Sequence, residues 1–482
     1  MKNLASFKRL IILAMASVNI VYEWLWYRYF WYGELFPRWV REKLPFFENG
    51  HMLVLAIYAV MLFMFSSMYG GMKLSYYRNT EVIFSLIFST LCTNILTYAQ
   101  VSLMCLKLLP TQMFMLMTVL QIIGITVWTV VAHWILGKIF APRKLLLIHG
   151  DRPIEDITRK FASRKDKYII NKCINTSHAD SKTREEIENE IMGDYGGIVL
   201  WDISAEERNY FLKYCFGKGI RVYTMPKITD VILKGSEQLH LFDTPILLNR
   251  EYSLTVEQRF FKRLIDLICA VLLFVITSPI MLITAVIVKM YDGGPVLYKQ
   301  TRCTLNQREF KILKFRSMRV DAEKDGVARL ASKGDSRITP IGRFIRKVRI
   351  DELPQLINII KGDMSFIGPR PERPEIIQQY TEIMPEFAYR TKVKAGLAGY
   401  AQVFGKYNTT PYDKLKLDLF YIENYSIWLD IKLMLLTLKI LFTPDSTEGV
   451  EMEQITAMKK EKFENYVNVD CAKDETKHND EE

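Results

Sequence analysis

The chain has 482 residues, enough for two or three domains rather than one. Half of them are apolar, more than a soluble enzyme needs, and the formal net charge of +11 calls for anionic partners: nucleic acid, phospholipid head groups or phosphorylated substrates. The seven cysteines stand singly with no CxxC pair, which argues against both a zinc site and a disulfide framework.

Residues 1–141 read as membrane. Four apolar stretches, Leu10–Tyr27, Met52–Tyr69, Val82–Leu106 and Met113–Ile139, approach or exceed the ~20 residues that cross a bilayer core. Three further spans after the first, and no small-residue cleavage pattern, speak against a signal peptide. Trp24, Trp26, Tyr27, Tyr29 and Trp31 cluster where the first span would meet the interface. Lys2, Lys8 and Arg9, then Lys73 and Arg78, then Lys138, Arg143 and Lys144 mark one side as cytoplasmic, together with everything after residue 141. Arg28, Arg38, Arg41 and Lys43, after the first span, run against that bias.

Residues 142–250 change character. "KLLLIHG", "YIINKCI", "GGIVLW" and "IRVYTM" read as strands, with helical stretches at Ser181–Met192 and Ala205–Phe216 between them. Strands alternating with helices predict a small doubly wound α/β module. The first strand runs into His149-Gly150-Asp151-Arg152, with one glycine where a dinucleotide fingerprint needs three. A structural or regulatory module fits better than a nucleotide-binding one. His149, alone at a strand end, is read as structural.

Lys262–Lys289 is a fifth segment long enough to span, broken past its middle by Ser278-Pro279 and flanked by cations at both ends. Proline removes a helical hydrogen bond, and a nearby serine can satisfy the freed carbonyl. A kinked crossing and a re-entrant hairpin both fit. Re-entry is preferred, because a full crossing would carry the following domain away from cytoplasmic activated substrates.

From Lys299 to Arg349 there are fifteen Lys/Arg against five Asp/Glu, including "KFRSM" and "RFIRKVR". Nucleic-acid motifs are absent, so lipid head groups or a diphosphate substrate suit this patch better. Next come Asp351-Glu352, with Leu353, Leu356, Ile357 and Ile360 at helical spacing and Gly362 as the stop. Pro354 fits only a first turn, which sets the helix start near Asp351. Both carboxylates would then sit at the positive end of the dipole and stay ionised, as a nucleophile or metal ligand requires. A cap and a first-turn acid explain the pair equally well on that pattern alone. The following "GDMSFIGPRP" adds glycines for close backbone approach and Arg370, fixed between Pro369 and Pro371, whose fork matches phosphate.

These residues resemble a known family. Phe261–Phe442 is similar to the catalytic domain of bacterial polyprenyl-phosphate sugar-1-phosphate transferases, the monotopic phosphoglycosyl transferase superfamily. The matches are the segment with Ser278-Pro279, "GGPVLYKQTR", "KFRSM", "DELPQL", "GDMSFIGPRP" and "VKAGLAGYAQVFG". The resemblance implies three parts before the tail: a four-helix transmembrane bundle (1–141), an α/β Rossmann-like module (142–250) and an α-rich catalytic domain with a proline-broken re-entrant helix (251–445). It implies that Asp351 attacks a UDP-sugar, releases UMP and hands the sugar phosphate to undecaprenyl phosphate. Glu352 would hold Mg²⁺, Arg370 would bind phosphate, and Lys314 and Arg316 would assist. The implied setting is the cytoplasmic face of the bacterial inner membrane, at the first step of exopolysaccharide, capsule or O-antigen synthesis, with inner-membrane lipids and a homodimer as partners. Phe420–Phe442 resembles a closing interfacial helix, and 446–482 reads as a charged, disordered tail. The alternatives are a UDP-releasing glycosyltransferase and a membrane scaffold or sensor without chemistry.

Overall fold

The computed structural model describes residues 7–33, 48–150, 152, 154–176, 184–241, 243–249, 254–319, 337–405 and 409–441. Two compact units divide the chain, Met1–Pro142 and Arg143–Glu482. The predicted tail at 446–482 and the end of the closing segment at Phe442 lie outside the described residues.

The first unit holds α1 (Lys8–Tyr32), α2 (Glu48–Tyr69), α3 (Asn79–Met104) and α4 (Thr111–Ile139). All four are long and apolar enough to cross a membrane. At about 1.5 Å per residue, each is at least about 33 Å long against a core of ~30 Å. Leu13, Ile95, Met115 and Val127 face outward, while the polar residues turn inward. Ser85, Ser89, Thr90, Thr93 and Thr97 run down α3, each hydroxyl 2.6–2.9 Å from the carbonyl four residues back. That bonding lets a Ser/Thr-rich helix live without water. Close approach of α4 to α1 depends on Gly124, where a Cβ would fall 2.1 Å from the Tyr22 ring. The aromatic cluster of α1 is split rather than uniformly interfacial. Tyr27 and Trp31 are buried, Tyr27 stacking on Tyr58 at 4.0 Å, and Tyr29 stays exposed. Helix packing claims the rings on the inward face.

The second unit starts with a parallel sheet ordered β2-β1-β3-β4: β1 (Arg143–His149), β2 (Tyr168–Asn175), β3 (Gly197–Trp201) and β4 (Val222–Thr224). These are the four stretches that the sequence marks as strands. Helices α5 (Glu155–Ala162), α6 (Arg184–Ile191) and α7 (Ala205–Gly217) cover it on both faces. Leu146 and Ile148 pack with Ile187 and Phe211, while Leu145 and Leu147 pack with Ile157 and Phe161. The alternation along β1 thus feeds two cores. The module continues into α8 (Ile228–Lys234) and the hairpin β5 (Glu237–Leu241) and β6 (Thr244–Leu248).

The fifth apolar helix, α9, runs from Val256 to Asp292. Thr255 and Gln258 cap its start reciprocally, and Gly293 ends it at a left-handed φ of 69°. α9 stays helical through Pro279. Pro279 has no N–H for the Val275 carbonyl, and the Ser278 hydroxyl donates to that carbonyl instead, at 2.8 Å. One face of α9 is packed along its length. Ala270 meets Phe310, Ile312, Leu356, Ile359 and Met364, and Val288 meets Phe315 and Ile345. The other face, with Leu272, Val275, Ile276, Leu282 and Ile283, is apolar and exposed.

Against the packed face lie the antiparallel pair β7 (Leu297–Cys303) and β8 (Glu309–Phe315), then α10 (Pro340–Lys347) and α11 (Gln355–Lys361). The short parallel pair β9 (Ser365–Ile367) and β10 (Gly396–Ala398) follows, with α12 (Pro374–Ile383), α13 (Tyr400–Phe404), α14 (Pro411–Glu423) and α15 (Ile427–Leu441). The predicted single closing helix is in fact two, because α14 ends at Glu423 and α15 starts at Ile427. Asp430 of α15 turns inward to a buried ion pair with Lys262 at 2.6 Å. The charges in this stretch therefore serve packing as well as solubility.

Candidate functional site

Asp351 and Glu352 occupy a single 3₁₀ turn, Ile350–Glu352, between α10 and α11. Arg349 enters this turn at a left-handed φ of 60°, an uncommon conformation for a residue with a side chain. The predicted helix start was near Asp351. α11 instead begins at Gln355, with Pro354 as its N-cap, so the two acids precede the helix rather than form its first turn. Asn358 anchors α11 to β8: its Oδ1 accepts from the Leu313 N–H at 3.0 Å, and its Nδ2 donates to the Lys311 carbonyl at 2.9 Å. α10 closes on the same strand end, where a Cβ at Gly342 would fall 1.9 Å from the Ser317 carbonyl oxygen.

Three cations converge on Glu352. Lys314 of β8 and Arg370 each donate to Oε1 at 3.0 Å, and Arg349 Nη1 stands 3.7 Å from Oε2. Asp351 is buried beside it. The two carboxyls consequently diverge. Burial pushes Asp351 up to about 6, helped by the charge of Glu352 and only partly opposed by Lys314, Arg346 and Arg349. Burial also acts against the charge of Glu352, but Lys314, Arg370 and Arg349 outweigh it and hold that carboxyl far below the usual range. The helix dipole, at ~0.3–1 kcal/mol, is too weak to impose one state on both acids against these neighbours.

Arg370 is placed by its backbone. Its own carbonyl accepts from Arg390 Nη2 at 3.2 Å, that of Pro371 from Arg302 Nη1 at 3.1 Å, and that of Glu372 from the Cys303 N–H at 3.0 Å. The Glu372 carboxylate is caged by Lys414 at 2.7 Å and by Arg302 and Arg390 at 3.6 Å. Burial opposes its charge, yet Lys414, Arg390 and Arg302 bring it down to about 2. Arg390 is in turn held by Asp418 of α14 at 2.8 Å, both almost fully buried. The glycines of "SFIGPRP" and "KAGLAG" do permit close backbone approach, but to each other. A Cβ at Gly396 would fall 2.1 Å from the Gly368 nitrogen, and one at Gly399 would fall 2.2 Å from the Gly368 carbonyl oxygen.

Asp351, Glu352, Lys314 and Arg370, four of the residues singled out from the sequence, are thus brought together. Arg316 is not: its guanidinium pairs with Asp292 at the end of α9. Ser278 and Pro279 lie within α9. Glu372, Arg390, Asp418 and Asn358 were missed. One signal was present for Asp418, an acid sharing a helical face with Leu415, Leu419 and Ile422.

The model of the family described as bacterial sugar transferase matches residues 257–444. The chain is 38% identical over 248 residues to the UDP-N-acetylgalactosamine-undecaprenyl-phosphate N-acetylgalactosaminephosphotransferase of Aeromonas hydrophila, covering 50% of this chain and 57% of the relative. It is 39% identical over 190 residues to the UDP-glucose:undecaprenyl-phosphate glucose-1-phosphate transferase of Caulobacter vibrioides, 38% of this chain and 71% of that one. Over 190 residues it is 40% identical to the uncharacterized sugar transferase EpsL of Bacillus subtilis, 39% of this chain and 90% of that one. The match spans little more than half the length of the Aeromonas relative and most of the two others. The range matched by the family model, 257–444, includes the carboxyl pair, Lys314 and Arg370. The chain belongs to the bacterial sugar transferase family.

Proposed function

We propose that this protein transfers a sugar 1-phosphate from a UDP-sugar to undecaprenyl phosphate, at the cytoplasmic face of the bacterial inner membrane. The observation that carries the reading is the divergence of Asp351 and Glu352 under Lys314 and Arg370. A carboxyl near 6 is ionised at neutral pH yet keeps more basicity than an ordinary aspartate, which suits a nucleophile. Its oxygen would bond to the sugar-bearing phosphorus while the bond to UMP breaks. The carrier phosphate would then attack the same phosphorus and displace Asp351. Lys314 and Arg370, already gathered on a carboxylate, would turn to the diphosphate as it enters.

The donor set fits Mg²⁺. Glu352 stays charged, its Oε2 has Arg349 no closer than 3.7 Å, and magnesium takes one or two carboxylates together with substrate phosphates. Bound there, the ion would neutralise diphosphate charge and ease the departure of UMP.

A re-entrant or interfacial course for α9 is supported by its packing. Lys262 near one end pairs with Asp430, Asp292 at the other end pairs with Arg316, and the strands between them line one face. A perpendicular crossing would drag those charged groups into hydrocarbon. The four preceding helices would anchor the chain in the membrane as a bundle, and lipid would cover the outer face of α9. The relatives are named for different sugars, so the donor hexose is left open.

The test is nucleotide release by purified protein given undecaprenyl phosphate, Mg²⁺ and a panel of UDP-sugars. UMP from one donor, lost in Asp351→Asn, supports the reading; UDP would establish plain glycosyl transfer instead.

A further inference from the structure

Glu23 lies in the middle of α1, fully buried among neutral groups. Its Oε2 is 2.7 Å from Thr90 Oγ1, and the same hydroxyl is 2.9 Å from the Leu86 carbonyl. Thr90 has one proton to give. Donated to both oxygens, that proton is shared, whereas a proton on Glu23 lets each contact be a full hydrogen bond.

The rest of the site is short of partners in the same way. Among the described residues Glu23 Oε1 has none, nor has either end of the Asn19 amide one turn earlier on the same helix face, nor the Tyr27 hydroxyl one turn later. All three side chains are buried. The facing helices supply Tyr58 from α2, Asn94 from α3 and Gln121 from α4, bonded to one another at 2.8–3.0 Å. Gln121 also donates to the Glu23 backbone carbonyl at 2.9 Å. None of these groups is charged at neutral pH, and among the described residues Glu23 has no ion-pair partner. A bare carboxylate at membrane depth is costly. A single positive charge on it removes that cost, and Asn19 Oδ1 and Thr90 Oγ1 are oxygen ligands at hand.

We propose that Asn19, Glu23 and Thr90 form a site within the apolar helical unit for one small cation, a bound proton or an alkali ion. This site is independent of the sugar-transfer chemistry, and its occupancy governs how firmly α1 holds to α3. Of the titratable groups that face Glu23, α1 contributes Tyr27 and α2 contributes Tyr58; α3 and α4 present Thr90, Asn94 and Gln121, which do not titrate.

The experiment is thermal unfolding of the full chain in lipid nanodiscs, followed by tryptophan fluorescence. Wild type and Glu23→Gln are compared from about pH 6 to about pH 9, in choline chloride and in sodium chloride. A carboxyl that keeps its proton when folded and releases it on unfolding loses stability as pH rises. The wild-type midpoint should therefore fall by more than about 2 °C across that range in choline. A rise with sodium at the upper end identifies an alkali ion as an occupant, and no rise identifies the proton. Glu23→Gln, neutral and of the same shape, should lose both responses. His51 and His133 are present in both proteins and cancel in the comparison. Equal responses in wild type and variant, or no response in wild type, would overturn the proposal. If Glu23→Gln does not fold, Asn19→Leu takes its place. It removes the amide beside the carboxyl and must alter the pH or sodium response; an unaltered response overturns the proposal equally.

Discussion

Lys314 and Arg370 reach Glu352 from elements far apart in sequence, β8 and the segment after β9, and this sets the charge states of the carboxyl pair. Motif order placed all four residues in one site, but spacing along the chain could not show that three cations would gather on one acid while its neighbour was buried. With Asp351 at about 6 and ionised when it attacks, turnover should fall as pH drops through about 6 and level off above it. A flat profile between pH 5 and pH 7 would contradict the role. Burial still raises Asp351 in Glu352→Gln, but the variant removes the added push from the Glu352 charge and leaves Lys314 and Arg370 unopposed. The acid limb should then move to lower pH, with activity reduced at every pH, as a pH–rate profile would show.

Elements, rather than single residues, hold Arg370 in place. The chain of contacts Arg370 carbonyl–Arg390–Asp418 runs from the site into α14 and is almost completely buried. Removing one member of a buried pair leaves the other uncompensated, so Asp418→Ala should cost about 3–5 kcal/mol in stability, read by thermal or denaturant unfolding. A loss under about 1 kcal/mol would mean that the pair is dispensable. α9 teaches a related lesson. The sequence showed a proline inside a long apolar segment and a serine beside it, and the hydroxyl does satisfy the carbonyl that the proline frees. Ser278→Ala should destabilise by about 1–3 kcal/mol, and Pro279→Ala, which restores the N–H, should rescue Ser278→Ala in the double variant. The break into α14 and α15 was less legible. Only Asn424–Ser426 separates two largely apolar runs; Asn424 caps the end of α14, the Ser426 hydroxyl accepts from the Leu429 N–H at 3.1 Å, and Asp430 reaches Lys262, a contact between residues far apart in the chain.

At the scale of the whole molecule, hydropathy and strand–helix alternation mark the apolar helices and the four-stranded sheet, because both are periodic signals. The docking of the α/β module was hidden, since it depends on one short helix. Ile228 and Val231 of α8 are buried in the same core as Leu415, Leu419 and Ile422, and the Lys234 ammonium lies 5.1 Å from the Phe420 ring. α8 thus packs on the helix that carries Asp418. Val231→Asp should cost about 3 kcal/mol or more, and limited proteolysis should then separate the module from the transferase region. An unchanged digestion pattern would contradict that packing.

The central claim is that Asp351 carries the sugar phosphate between donor and carrier. It is tested most directly by mass spectrometry of the protein after incubation with its UDP-sugar and Mg²⁺ in the absence of undecaprenyl phosphate. A sugar-phosphate adduct on the peptide containing Asp351, discharged when undecaprenyl phosphate is added and absent from Asp351→Asn, is the predicted result. Product formed at full rate by Asp351→Asn, or an adduct on another residue, would contradict the account.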